Sequence, residues 1–125
     1  REHSLFGYEL GDPQARFARL EEGLEVVTRL LKSDEPVSYE GRFYRLREAV
    51  LLPRPQRAGG PQILIGGSGS ERTPELAARF ADVWNGTFMG PDTFRERSTA
   101  LDVLLSKHGD SAVPLKNSAE ASCPT

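Results

Sequence analysis

The sequence predicts an α/β fold with parallel strands, and three observations carry that reading. A short, uniformly apolar run, Gln62-Ile63-Leu64-Ile65, leads straight into Gly66-Gly67-Ser68-Gly69-Ser70. A helical pattern follows, opened by Thr73-Pro74-Glu75, with Leu76, Ala77, Phe80 and Ala81 on one side. Asp82-Val83-Trp84-Asn85-Gly86 then reads as a second strand leaving that helix. Strand, glycine loop, helix and strand make a βαβ unit, and its crossover demands parallel strands. An apolar run of this kind marks a strand covered on both faces.

The elements on either side follow from spacing. Residues 11–32 predict a long amphipathic helix. Asp12 is placed to cap it, and Pro13 sits at the first helical position, where a missing N–H costs nothing. Phe17, Leu20, Leu24, Val27, Leu30 and Leu31 form one apolar stripe. Arg16, Arg19, Glu22, Glu25 and Arg29 form the opposite, solvated face. Gly23 interrupts the helix at a cost of about 1 kcal/mol relative to alanine, which points to a close neighbour at that spot. From Val37 to Leu46 the period changes to that of strands, with Glu40-Gly41 as the turn of a small hairpin. Pro53, Pro55 and Pro61, with Gly59 and Gly60, then make an extended connection that excludes regular helix. A last helix is expected from Asp92 to His108, with Phe94, Leu101, Leu104 and Leu105 inward and Gly109 as its stop. Beyond it, residues 110–125 are rich in Ser, Ala and Pro without an apolar period, so a disordered tail is expected there. Residues 1–109 are then the folded domain.

Composition narrows the function classes. The 125 residues are 38% hydrophobic and 27% charged, the balance of a globular chain. A net charge of −2 offers no general attraction to nucleic acid or to an anionic membrane. No apolar run approaches the roughly 20 residues needed to span a bilayer. A cytoplasmic protein is expected by elimination. Cys123 is the one cysteine, so an internal disulfide and a cysteine-based metal cluster are both excluded. His3 and His108 do not lie at metal-ligand spacing with each other or with a glutamate on one helix, so no metal site is expected.

The glycine loop is the candidate site. Gly66, Gly67, Ser68 and Gly69 allow a ligand close to the backbone, and the N–H groups and dipole of the following helix favour a phosphate. The hydroxyls of Ser68, Ser70 and Thr73 and the charge of Arg72 are candidate additions. The string lacks the Gly-Lys-Ser/Thr ending of a P-loop and is not a dinucleotide GxGxxG. Serine also stands where the closing glycine of a nucleophile elbow belongs, which argues against a serine hydrolase. From the residues alone, a phosphate site and a plain β-to-α turn both remain open. Trp84 and Phe88 are candidate pocket walls, although a strand tryptophan more commonly belongs to a core.

Four blocks in order resemble one family. "RFARLEEGLEVVTRLL" (Arg16 to Leu31), "VSYEGRFYRL" (Val37 to Leu46), "LLPRPQ" (Leu51 to Gln56) and "PQILIGGSGSERTPELAARFADVWNG" (Pro61 to Gly86) are similar to the later half of bacterial-luciferase-like monooxygenases. "REHSLFG" (Arg1 to Gly7) resembles the segment after an inner barrel strand of that family. The resemblance spans roughly residues 1 to 108 and is strongest to the deazaflavin-dependent branch. It implies part of a (β/α)8 TIM barrel and an oxidoreductase or monooxygenase using the deazaflavin coenzyme F-420 or FMN. It implies a cofactor phosphate held by Gly66, Gly67, Ser68 and Gly69, with Thr73 opening the helix behind them, and a small-molecule substrate. It assigns no catalytic residue, although it brings His3 into consideration beside the cofactor. The early strands of such a barrel are absent from these residues. The alternative expectation is therefore a non-catalytic barrel fragment that associates with another chain or with its own copy. A phosphate-binding α/β module of unrelated chemistry is the third.

Overall fold

The computed structural model describes residues 2–69, 71–108 and 116–120. The chain forms two compact units, Arg1–Gly60 and Pro61–Thr125.

The first unit is built on one long helix. A short helix, α1 (Glu2–Leu5), precedes α2 (Pro13–Lys32). The Asp12 carboxylate accepts the Ala15 N–H at 2.9 Å and satisfies one of the orphan donors of the first turn of α2. At the other end the Arg54 guanidinium donates to the carbonyls of Leu30 (2.8 Å) and Leu31 (3.2 Å) and pairs with Asp34 at 3.0 Å. The proline-rich connection thus returns to close the helix whose last carbonyls would otherwise lack partners. Residues 50–60 contain no helix or strand, as their prolines require.

After α2 come β1 (Val37–Glu40) and β2 (Arg45–Ala49), an antiparallel pair with Glu40 opposite Arg45. The hairpin is where spacing places it, but its turn is longer than Glu40-Gly41. Arg42, Phe43 and Tyr44 are not strand residues. Their N–H groups are taken by the Glu22 carboxylate, at 3.2, 2.9 and 2.8 Å. Gly41 donates to the Tyr44 carbonyl at 2.9 Å and lacks room for a side chain, since a Cβ there would collide with the same carboxylate.

The expectation of a solvated polar face on α2 is corrected by this packing. Arg19 and Arg42 both lie over the Phe43 ring, 5.2 and 4.9 Å from its centre, and Arg29 lies over Tyr39 at 5.0 Å. Long charged side chains cover aromatic surface here while their heads stay wet. Gly23 has the close neighbour its presence suggested: a Cβ there would sit 3.5 Å from the Tyr44 hydroxyl. On the apolar stripe, Leu20 and Val27 are 45% and 46% exposed, and the buried residue of α2 is Val26.

The second unit runs β3 (Leu64–Gly66), α3 (Arg72–Phe80), β4 (Val83–Thr87), α4 (Pro91–His108) and β5 (Lys116–Glu120). The strands form one parallel sheet in the order β3-β4-β5, so the βαβ expectation holds. Ile65 lies opposite Trp84 and Gly66 opposite Asn85. Asp82 fastens the edge by accepting the Ile63 N–H on its carboxylate at 2.8 Å and donating its own N–H to the Ile63 carbonyl at 2.8 Å.

Ile65, Leu76, Ala77, Trp84 and Leu101 form the core of this unit. The Trp84 ring stacks on Phe94, with centroids 5.5 Å apart and planes 12° from parallel. Two expectations change. Leu64 is 57% exposed, so the apolar run of β3 is packed on one face rather than two. Alternation along a strand sends Ile65 and Leu64 to opposite faces of the sheet, and the face that carries Leu64 is left uncovered. Residues 116–120, expected to be loose, pair with β4 from Val83↔Lys116 to Thr87↔Glu120. Strand formation there is templated by the free edge of β4, which local composition does not register. Gly109 and the remainder of the expected tail lie outside the described residues.

Candidate functional site

The glycine loop links the end of β3 to the start of α3, and its backbone is held from both sides. The Gly67 N–H donates to the Asn85 carbonyl at 3.0 Å, continuing the β3–β4 ladder one residue past the strand. The Gly67 carbonyl accepts the indole N–H of Trp84 at 3.2 Å. Gly67 adopts φ +143°, a conformation that an L side chain rarely tolerates. The loop therefore turns sharply at the sheet edge and enters a helix within a few residues.

Thr73 lies directly beneath the loop. It is 9% exposed and is the second residue of α3, which starts at Arg72. A Cβ on Gly67 would lie 3.4 Å from the Thr73 methyl, and one on Gly69 would lie 2.8 Å from its hydroxyl. Gly67 and Gly69 thus both meet Thr73, while Gly66 is the last residue of β3 beside the Asn85 backbone and Ser68 is exposed. Ser70 lies outside the described residues. Glu71 occupies the N-cap position without a side-chain cap bond. The dipole and first-turn N–H groups of a nine-residue helix point back toward the loop. Such an arrangement suits an anion with several acceptor oxygens. The nearby acidic residues, Glu71 and Glu75, are exposed, where water screens them.

Trp84 is the residue whose role spacing did not reveal. Its ring is core, 1% exposed, as a strand tryptophan commonly is, while its N–H reaches the loop. The only hint in the sequence was an indole on the strand following a glycine loop. Phe88, the other candidate wall, is 80% exposed. His3 is exposed on α1 and borders an open cavity of about 830 Å³ within the first unit, together with Tyr8, Arg16, Leu20, Val27 and Tyr44. Among the described residues no cluster of three or more His, Cys, Asp or Glu side chains is placed to hold a metal. No helix among them is long and apolar enough to cross a membrane.

Comparison with known proteins gives a consistent result. The profile of the luciferase-like monooxygenase family matches residues 1–123. That span takes in β5 and goes beyond the roughly 108 residues over which the sequence blocks carry the resemblance. An F420-dependent glucose-6-phosphate dehydrogenase of Microbacterium testaceum is 35% identical over 105 residues, covering 82% of this chain and 30% of that protein. The EDTA monooxygenase of Chelativorans sp. BNC1 superposes with a TM-score of 0.75 at 20% identity, over 95% of this chain and 32% of that one. An F420-dependent secondary alcohol dehydrogenase in complex with an F420-acetone adduct superposes with a TM-score of 0.73 at 20% identity, over 90% and 33%. The chain spans about a third of the length of these relatives.

Proposed function

Because the chain belongs to the luciferase-like monooxygenase family and corresponds to part of its (β/α)8 barrel, we propose that it contributes the cofactor-phosphate site of a deazaflavin- or flavin-dependent oxidoreductase. The observation that carries this reading is the doubly held Gly67 above the start of α3. A loop poor in Cβ atoms, and held at Gly67 before the ligand arrives, spends little ordering entropy when a phosphate is bound. Late βα loops are also where barrels commonly hold phosphate.

The residues present fit the group. Gly66, Gly67 and Gly69 let it reach the backbone, Ser68 offers an exposed hydroxyl, and the Thr73 hydroxyl supports the loop from below. The cofactor dependence of the two F420-dependent relatives favours coenzyme F-420, with FMN as the alternative. When bound, that cofactor supplies the redox chemistry on a small-molecule substrate. The protein's part is to anchor the phosphate end and so set where the ring lies.

Titration of the chain with coenzyme F-420 and with FMN, followed by ligand fluorescence, tests this directly. Saturable binding that is lost in Gly67→Val is the expected result, because valine adds bulk at φ +143° and within 3.4 Å of Thr73. Binding of equal affinity by a folded Gly67→Val chain refutes the role of the loop.

A second reading rests on exposed apolar surface. Leu5, Phe6, Leu64 and Phe88 are between 57% and 80% exposed. Surfaces of this kind favour association. On that reading the chain is a non-catalytic fragment that pairs with another chain or another copy. It predicts sedimentation that depends on concentration, together with no cofactor binding by the chain alone.

A further inference from the structure

We infer that Trp84 is a positioning residue for the loop: its indole N–H, by holding the Gly67 carbonyl inward, turns the Ser68 N–H outward as a phosphate donor. The inference rests on the phosphate-site reading and deepens it by naming the donor and what aims it.

The argument is one of peptide geometry. In a trans peptide the carbonyl and the following N–H point in opposite directions within one plane. The Gly67 carbonyl accepts from Trp84 Nε1, which belongs to a ring only 1% exposed. The N–H of the same peptide, that of Ser68, is therefore directed away from the core. The preceding peptide is fixed as well, by the Gly67 N–H on the Asn85 carbonyl. With φ +143° available only because residue 67 is glycine, the two hydrogen bonds leave the Gly67–Ser68 peptide little freedom to flip. A loop without the indole bond keeps the same residues but samples both orientations, so the donor is presented only part of the time.

The indole is also secured independently of the loop. Trp84 stacks on Phe94 and pairs across the ladder with Ile65. The stabilising contacts of the ring are thus separable from the one hydrogen bond made by its N–H, and the two roles can be tested apart.

The experiment titrates the full chain with inorganic phosphate and with FMN, following the backbone amide of Ser68 and the indole N–H by NMR. The sequence holds a single tryptophan, so the indole signal is unique. Three chains are compared: the unaltered chain, Trp84→Phe, and a chain with benzothienylalanine at position 84, which keeps the bicyclic ring and replaces the N–H by sulfur. Phe94→Leu serves as a control that loosens the stack and leaves the N–H in place.

Expected is a Ser68 amide that shifts saturably in the unaltered chain and in Phe94→Leu, with affinity about five- to tenfold weaker in both chains lacking the N–H, the scale of one lost hydrogen bond. Equal affinity in the benzothienylalanine chain overturns the positioning role while the loop reading stands. Failure of the unaltered chain to bind either ligand overturns the loop reading, and the inference with it. Should Trp84→Phe not fold, the benzothienylalanine chain decides alone.

Discussion

The Glu22 carboxylate accepts the backbone N–H of Phe43 at 2.9 Å, joining the middle of α2 to a hairpin turn 21 residues further along the chain. The same group also takes the N–H of Arg42 and of Tyr44. A helix side chain thereby does what a neighbouring strand does elsewhere: it satisfies consecutive main-chain donors that would otherwise depend on water.

Replacing Glu22 by glutamine keeps the shape and removes half the acceptors. Arg42 binds one carboxylate oxygen while Phe43 and Tyr44 share the other, so the amide sets an NH2 group against at least one N–H donor. Hydrogen bonds to charged groups are worth about 1.5–3 kcal/mol. Amide exchange at residues 42–44 is expected to accelerate about tenfold or more, in line with the loss of at least one such bond. Unchanged protection would show that the turn stands without the helix.

Gly23 is a site for gain. Alanine there meets Tyr44 at 3.5 Å, an ordinary contact, and removes a helix-interior glycine that costs about 1 kcal/mol. Gly23→Ala should raise the denaturation midpoint. Gly23→Leu should lower it, because the longer side chain must displace the Tyr44 ring. A lower midpoint for the alanine variant would mean that Tyr44 packs more tightly on the helix than the structure shows.

Acidification should loosen the first turn of α2. The Ala15 N–H donated to Asp12 holds its carboxyl below the usual carboxylate range. A lowered folded-state pKa means that the stabilisation is present above the unfolded value, near 3.9, and is lost as pH falls through the folded one. The protection factor of the Ala15 amide, its exchange taken against the intrinsic rate at each pH, should therefore fall below about pH 4. Asp12→Asn, which caps without titrating, should flatten that pH dependence. If the asparagine variant shows the same acid response, Asp12 is not its source.

Gly86 should not tolerate a side chain. A Cβ there would lie 2.9 Å from the Met89 sulfur and 3.1 Å from the Trp84 ring, which Phe94 holds in place. Overpacking of this kind costs about 1–3 kcal/mol. Gly90→Ala, with nothing within 4 Å, is the control for added bulk and should lose only the smaller preference for glycine over alanine at the N-cap of α4, where the Gly90 carbonyl accepts from Phe94. Equal melting of both variants would show that Met89 gives way freely.

Much of this protein is legible from neighbours along the chain. Asp12-Pro13 announced a helix start, the three-and-four spacing announced α2, and strand–glycine–helix–strand announced a parallel βαβ unit with Gly66–Gly69 at its turn. Each of these signals is local, set by backbone propensity and side-chain period. The blocks of residues also carried the family, and with it the barrel.

What spacing left open depended on which distant groups meet. A polar helix face reads the same whether water or a hairpin backbone covers it, so spacing does not distinguish a solvated Glu22 and Arg19 from the pair that meets the turn at Phe43. Leu64 and Ile65 are equally apolar, and only the packing of one sheet face decides that one is buried and the other exposed. Lys116–Glu120 carries little strand signal of its own and takes its form from β4. Trp84 is core by its burial and acts on the loop through one N–H, a distinction that exists only once β4 lies beside Gly67. Propensity acts within a few residues, whereas hydrogen-bond partners and burial are set by folding that brings remote segments together. The phosphate-loop reading depends on both.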